Sequence, residues 1–254
     1  MNLQVEVRGQ GAPLVLLHGW GMHGGMWGQA AARLEAHFQI HYVDLPGHGA
    51  SSAVRPFTLD ILVKLLTQHF VAPVNVCGWS LGGMIAQHWA ATRPEQVSRL
   101  VLVGSTPCFR MRDDWQDGMA TEMLEQFATE LMQNHAATLR RFLALQVRGS
   151  DDEKSLLSQL RAQLLARGEP DLQVLQGGLE ILRDADLRAR LREIVQPALI
   201  VAGERDKLTP PAASRYMAEQ MPTAEFVEVA GAAHAPFLSH PEIFSGHVKR
   251  FLHE

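Results

Sequence analysis

Three residues of this chain have the types and the order that nucleophilic acyl chemistry needs: Ser80, Asp206 and His234. Ser80 stands in Gly78-Trp79-Ser80-Leu81-Gly82, a Gly-x-Ser-x-Gly pattern whose mechanical meaning is a strand turning abruptly into a helix. Glycines flank such a serine because a Cβ there would collide with neighbouring backbone, and the serine itself takes a strained conformation. The turn lifts the hydroxyl above the strand end, at a helix N-terminus whose free N–H groups favour developing negative charge. The bare pattern is short enough to arise by chance. Its setting, between an apolar run at 74–78 and a helical run at 81–92, argues for a nucleophile.

An elbow of this kind calls for an acid and then a histidine, each beyond a later strand. Asp206 lies in Gly203-Glu204-Arg205-Asp206-Lys207, past the run 198–202, and His234 lies in Gly231-Ala232-Ala233-His234, past the run 225–229. Both fall at the carboxyl ends of strands, where the sites of α/β sheets collect. His234 would take the Ser80 proton and pass it to the departing alkoxide, while Asp206 fixes the ring tautomer and stabilises the imidazolium. Glu204 competes as the acid, but Asp206, further along the loop, is better placed. There are 12 histidines, so His234 is singled out by location rather than by type. The loop His18-Gly19-Trp20-Gly21 follows the first clear strand, and the backbone N–H groups of Trp20 and Leu81 are the expected oxyanion donors. His18 reads as a brace for that loop, not as a second base.

A rival reading comes from the same loop. Gly19-Trp20-Gly21-Met22-His23-Gly24, followed by Asp44 at the end of the next strand, has the outline of a dinucleotide fingerprint. Asp44 runs directly into Leu45-Pro46-Gly47-His48-Gly49, and that reading leaves Ser80, Asp206 and His234 unexplained. A second rival is a catalytically silent binding protein on the same fold. The complete triad argues against it.

The elements that must position these residues alternate. Strands are expected at 14–17, 40–45, 74–78, 100–103, 198–202 and 225–229, with helices at 26–38, 58–70, 81–92, 211–221 and after Pro241. Strand–helix alternation implies an α/β fold with a mostly parallel, doubly wound sheet. From 107 to 191 no convincing strand is found. Helical spacing of Phe127, Leu131 and Met132, of Leu139, Phe142 and Leu143, and of Leu156, Leu157, Leu160, Leu164 and Leu165 predicts three to four short helices, broken near 149–150 and 168–170. The expected division is a core of 1–106 and 192–254 with a helical lid inserted at 107–191.

Length and composition fit this. The 254 residues suit one large domain or a domain with an insertion. With 46% hydrophobic and 20% charged residues, a globular chain with an ample core is expected rather than a disordered one. A net charge of −4 offers no global attraction to a phosphate backbone, so nucleic acid is not an expected partner. Two cysteines, Cys77 and Cys108, cannot build a disulfide framework. The alternating N-terminus, Met1-Asn2-Leu3-Gln4-Val5-Glu6-Val7, lacks the layout of a signal peptide, and no apolar run is long enough to span a bilayer. A cytoplasmic monomer without metal, cofactor or membrane partner is the expectation.

Beyond these motifs, which α/β-hydrolases share widely, longer segments resemble the pimeloyl-acyl-carrier-protein methyl ester esterases of biotin synthesis. They are Ser105-Thr106-Pro107-Cys108-Phe109, Arg112-Asp113-Asp114-Trp115, Arg141-Phe142-Leu143-Ala144-Leu145-Gln146, Gly177-Gly178-Leu179-Glu180-Ile181-Leu182 and Ala232-Ala233-His234-Ala235-Pro236-Phe237. The resemblance implies the α/β-hydrolase fold with a helical lid. It also implies a serine carboxylesterase that frees the distal methyl ester of a pimeloyl chain carried on acyl carrier protein, with side activity on short-chain esters. The substrate contacts it implies are Trp20, Ser80, Leu81, Phe142, Leu143, Ala144, Leu145, Gln146 and His234. The alternative is a related hydrolase acting on another small ester, thioester or C–C bond.

An acidic carrier protein needs a basic rim. Between 136 and 167 the chain carries Arg140, Arg141, Arg148, Lys154, Arg161 and Arg167, opposed only by Asp151-Asp152-Glu153. Arg141 with Arg148, and Lys154 with Arg161, are spaced to share a helix face. Carrier docking is assigned to Arg140, Arg141, Arg148, Lys154 and Arg161, the plain alternative being a solvated surface.

Overall fold

The computed structural model describes residues 3–253; Met1, Asn2, Glu254 and the side chain of Leu165 lie outside the described residues. Seven strands form one sheet: β1 (Val5–Arg8), β2 (Ala12–Leu17), β3 (Phe38–Val43), β4 (Val74–Trp79), β5 (Val97–Val103), β6 (Ala198–Gly203) and β7 (Ala224–Val229), in the order β1-β3-β2-β4-β5-β6-β7. The β1–β3 pairing is antiparallel and the others are parallel. The middle strands β4 and β6 bury every residue in succession instead of alternating, as strands covered on both faces must. Helices supply that cover. α1 (Gly28–Leu34) packs on α10 (Pro241–His253), with the short α9 (Pro236–Ser239) beside them. α2 (Leu59–His69) packs on α3 (Leu81–Thr92), and the 3-10 helix Arg188–Glu193 joins α3 to α8 (Pro211–Gln220).

The strand order reverses at β2. The chain steps outward from β2 to β3 and then returns on the other side as β4. The loops after β2 and β4, which carry Trp20 and Ser80, therefore flank the crevice where ligands of doubly wound sheets bind.

The expected elements are present with shifted edges. The helix expected at 26–38 is a 3-10 turn (Gly24–Trp27) followed by α1, which stops at Leu34. Phe38 continues the apolar spacing of that helix, yet it opens β3 opposite Ala12 and is buried in the core. β3 in turn ends at Val43 rather than 45. The next two amides leave the ladder, Asp44 donating to the Gln4 carbonyl at 3.0 Å and Leu45 to His18 Nε2 at 3.0 Å. The half-exposed β1 is an additional strand.

Among the described residues four α-helices lie between β5 and β6, α4 (Thr121–Gln133), α5 (His135–Val147), α6 (Glu153–Leu164) and α7 (Leu172–Asp184), with a 3-10 turn, Leu165–Arg167, between α6 and α7 and the 3-10 helix Arg188–Glu193 after α7. Side chains start two of them, Asn134 accepting from the Ala137 amide and Asp171 from the Val174 amide, each at 3.0 Å. Such caps satisfy first-turn donors that the helix itself cannot. Leu124, Phe127, Leu131, Leu139, Phe142 and Leu143 join the same apolar cluster as the sheet. Polar ties add to this packing. Arg167 reaches Glu6 at 2.7 Å and the fully buried Asp44 at 3.2 Å. At the other end, the carbonyl of Gln146 accepts the main-chain N–H of His234 at 3.1 Å.

Candidate active site

The elbow is built by close backbone approach. A Cβ on Gly78 would stand 2.4 Å from the Gly82 carbonyl oxygen, and one on Gly82 would stand 2.3 Å from that of Leu17. No side chain fits either place, so the glycines let α3 press against β2 and β4. Ser80, between them, has φ 56° and ψ −118°, the one positive φ outside glycine among the described residues. A non-glycine residue pays strain there and stays only because its surroundings over-determine it. Those surroundings are explicit. The Ser80 amide donates to the Val103 carbonyl at 3.0 Å, and the Ser80 carbonyl accepts from Ser105 Oγ at 2.9 Å.

Asp206 and His234 arrive from the ends of β6 and β7. Asp206 Oδ2 lies 2.8 Å from His234 Nδ1, and both side chains are almost fully buried. The aspartate is held by its own turn: Oδ1 accepts the Leu208 amide at 2.8 Å and the Thr209 amide at 3.0 Å. Thr209 Oγ1 donates to Oδ2 at 2.8 Å and lies 3.2 Å from His234 Nδ1. With Nδ1–H committed to the carboxylate, the lone pair of His234 is on Nε2. That atom is buried and has no hydrogen-bond partner among the described residues. Trp79 Nε1 donates to the His234 carbonyl at 3.0 Å, which links the histidine loop to the residue before Ser80. Glu204 points elsewhere and accepts the Gly231 amide at 2.8 Å.

The loop after β2 lies against the serine. The Cβ position of Gly19 is 3.3 Å from Ser80 Cβ, and the turn closes with the Met22 amide donating to the Gly19 carbonyl at 3.2 Å. Trp20 is anchored by Nε1 donating to the Leu175 carbonyl at 2.8 Å. Its ring meets Phe142 and Phe127 edge-on, with centroids 4.9 Å and 5.5 Å away. His18 donates from Nδ1 to the Gly19 carbonyl at 2.8 Å and accepts the Leu45 amide on Nε2 at 3.0 Å. Burial drives its pKa well below the ordinary histidine value, so it braces the loop as a neutral ring.

Five of the expected substrate contacts lie on one stretch of α5. Phe142, Leu143 and Gln146 are buried, and Ala144 and Leu145 are half-buried. Gln146 Oε1 is buried without a partner among the described residues. Ser80 itself is 6% exposed, so the serine is nearly closed off from solvent. Asp44, the acid of the dinucleotide outline, is spent on structure: it accepts the Gly24 amide at 2.8 Å, the Ala50 amide at 3.0 Å and the Arg167 guanidinium. No cluster of three or more His, Cys, Asp or Glu side chains able to hold a metal ion occurs among the described residues.

The basic residues are less united than their spacing suggests. α5 ends at Val147, so Arg148 lies beyond the helix and does not share a face with Arg141. Arg141 is paired with Glu130 of α4, and Arg167 turns inward to Asp44 and Glu6. Lys154 and Arg161 do share α6. Arg140 and Arg161 stand across an apolar cleft of about 200 Å³ lined by Leu139, Leu143 and Leu164.

Thr209 is the site residue that the sequence reading missed. The available signal was the turn itself, because an Asp whose carboxylate accepts the amides two and three residues on forms an Asx-turn. A hydroxyl at its third position is thereby folded back onto the acid.

Residues 12–241 match the alpha/beta hydrolase fold family. The chain is 46% identical over 244 residues to a pimeloyl-[acyl-carrier protein] methyl ester esterase of Chromobacterium violaceum, covering 96% of this chain and 95% of that one. It is 43% identical over 243 residues to the protein of the same name from Nitrosomonas europaea, covering 96% of each. Among solved structures it is similar to an esterase from Exiguobacterium antarcticum, with a TM-score of 0.90 at 24% identity over 99% of this chain and 96% of that one. That likeness speaks to the fold alone.

Proposed function

The chain belongs to the alpha/beta hydrolase fold family and, within it, to the pimeloyl-[acyl-carrier protein] methyl ester esterases, and from that premise we propose how its residues act. It is a carboxylic ester hydrolase. Its reaction removes the methyl ester at the far end of a pimeloyl chain borne on acyl carrier protein, leaving a carboxylate and methanol, with simple short-chain esters as side substrates. The observations that carry the chemistry are the serine held at φ 56° between β4 and α3 and the 2.8 Å Asp206–His234 pair, whose histidine loop is tied to the residue before the serine.

In the proposed mechanism, His234 Nε2 takes the Ser80 proton as Oγ attacks the ester carbonyl carbon. The resulting oxyanion is received by the N–H groups of Trp20 and Leu81, the latter opening α3, whose N-terminal dipole favours the charge. His234 then gives its Nε2 proton to the methoxide oxygen, and methanol leaves. Water attacks the acyl-enzyme by the same route, and Ser80 regains its proton. Asp206 stays ionised throughout and holds the tautomer that keeps Nε2 free. The α5 residues Phe142, Leu143, Ala144, Leu145 and Gln146, with Trp20, line the acyl chain, their apolar groups excluding water from it.

The inserted helices act as a lid over this centre. The carrier docks on the exposed cations Arg140, Arg148, Lys154 and Arg161, with Arg141 contributing less because Glu130 already neutralises it. On this reading the protein works in the cytoplasm as a monomer. Its cysteines are free and buried, and no helix among the described residues is long and apolar enough to cross a membrane.

A fluorophosphonate probe tests the nucleophile. Wild type should take the label on Ser80 and Ser80→Ala should take none; label on another residue would overturn the assignment.

A further inference from the structure

Asp206 is a buried carboxylate with no Lys or Arg partner among the described residues. Its charge is carried by four contacts, and they divide unequally between its oxygens. Oδ1 is saturated by the two turn amides. Oδ2, which must serve the histidine, is shared between His234 Nδ1 and the Thr209 hydroxyl, both at 2.8 Å. Thr209 is 1% exposed, so no bulk water stands in for its hydroxyl. Because its proton points to Oδ2, the Thr209 oxygen presents a lone pair to His234 Nδ1 at 3.2 Å. The Nδ1–H thus faces two acceptors that are themselves joined by a hydrogen bond.

We propose that Thr209 is a positioning residue for hydrolysis, its hydroxyl locking the Asp206 carboxylate and the His234 ring into the orientation that leaves Nε2 facing Ser80. This rests on the esterase reading above. The hydroxyl does two things. It fixes the carboxylate plane, since Oδ2 cannot rotate away without losing a buried hydrogen bond to a charged group. It also draws off part of the charge on Oδ2, which moderates how strongly the carboxylate stabilises the imidazolium formed during attack. Thr209 touches neither the acyl chain nor the reacting atoms, so its effect must run through His234.

The experiment compares Thr209→Val, nearly the same shape without the hydroxyl, with Thr209→Ser, which restores the hydroxyl, using a short-chain ester and the whole protein. Thr209→Val should lower kcat about tenfold with KM unchanged, the scale of one charge-assisted hydrogen bond in a buried network. The acid limb of its kcat/KM profile should move to higher pH, because the unshared Oδ2 favours the protonated ring more strongly. Thr209→Ser should recover the wild-type profile. In an Asp206→Asn background, Thr209→Val should cost nothing further, since the two act as one unit. An unmoved acid limb with wild-type kcat in Thr209→Val, or equal losses in the Val and Ser variants, would overturn the proposal. So would losses that add to those of Asp206→Asn. Failure of the esterase reading looks different: wild type would not hydrolyse the ester, or Ser80→Ala would hydrolyse it as well.

Discussion

The carbonyl of Gln146, in the last turn of α5, accepts the backbone N–H of His234 at 3.1 Å. The helix proposed to line the acyl chain therefore holds the loop of the proposed general base directly. A second tie runs from the Ala233 amide to Ser150 Oγ at 3.3 Å, and a third from Trp79 Nε1 to the His234 carbonyl. None of the three uses the imidazole.

Truncating the triad should thus remove chemistry without displacing its loops. Ser80→Ala and His234→Ala should each lower kcat by on the order of 10⁴-fold or more with thermal stability retained. Asp206→Asn should be similarly severe, because an amide facing Nδ1 favours the wrong tautomer. Glu204→Gln should stay active, since Glu204 bonds the Gly231 amide and not the histidine. Crippled Glu204→Gln beside active Asp206→Asn would reverse the assignment of the acid.

The elbow, the acid and the histidine were legible in the sequence because each is fixed by local backbone geometry next to a strand end. What was illegible depends on long-range partners. Phe38 fits the helical spacing of 26–38 equally well, and only pairing with β2 makes it a strand residue. Arg141 and Arg148 have the spacing of one helix face, but α5 stops between them when Arg148 takes an extended conformation. Arg167 belongs to the same run of cations, and nothing nearby in sequence announces that it pairs with Asp44 and Glu6, 123 and 161 residues away. The role of Thr209 needed the position of His234, 25 residues later.

Chain-length preference should reside on α5. Leu145 is half-buried on α5, three residues after Phe142, and packs against the apolar core. Leu145→Ala should weaken kcat/KM for long acyl esters by roughly 1–3 kcal/mol and change acetate esters far less. Equal losses on both would mean that Leu145 supports the helix rather than the substrate.

Acid should destabilise the protein through its buried histidines. His48 donates from Nδ1 to the Pro46 carbonyl at 3.1 Å, and burial pulls its pKa down to about 4. The unfolded chain binds a proton near pH 6.5 that the folded chain refuses, so stability is full above that pH and falls as pH drops toward 4. His48 alone should cost about 2 kcal/mol by about pH 5, with His18 adding to it. Urea unfolding at about pH 7.5 and about pH 5 measures this, and His48→Asn should show a smaller drop. An equal drop in the variant would place the acid sensitivity elsewhere.

Carrier docking should be electrostatic. Reversing Arg140 and Arg161 to Glu should lower kcat/KM for a carrier-linked ester while leaving a small soluble ester nearly untouched, since rim charge acts on encounter rate. The defect should shrink as salt rises and wild type itself slows. Arg141→Ala should do less than either reversal, given its pairing with Glu130. Parallel losses on both substrates would remove the docking surface from the account without touching the esterase chemistry.

The most direct test is to incubate the protein with methyl pimeloyl acyl carrier protein and follow the intact carrier by mass spectrometry. Wild type should convert it to the species lighter by one methylene, the free acid, with methanol released in equal amount, and Ser80→Ala should leave it unchanged. A carrier ester that survives wild type, while short-chain esters are turned over and Ser80 takes the fluorophosphonate, would contradict the assigned substrate and keep only the serine hydrolase.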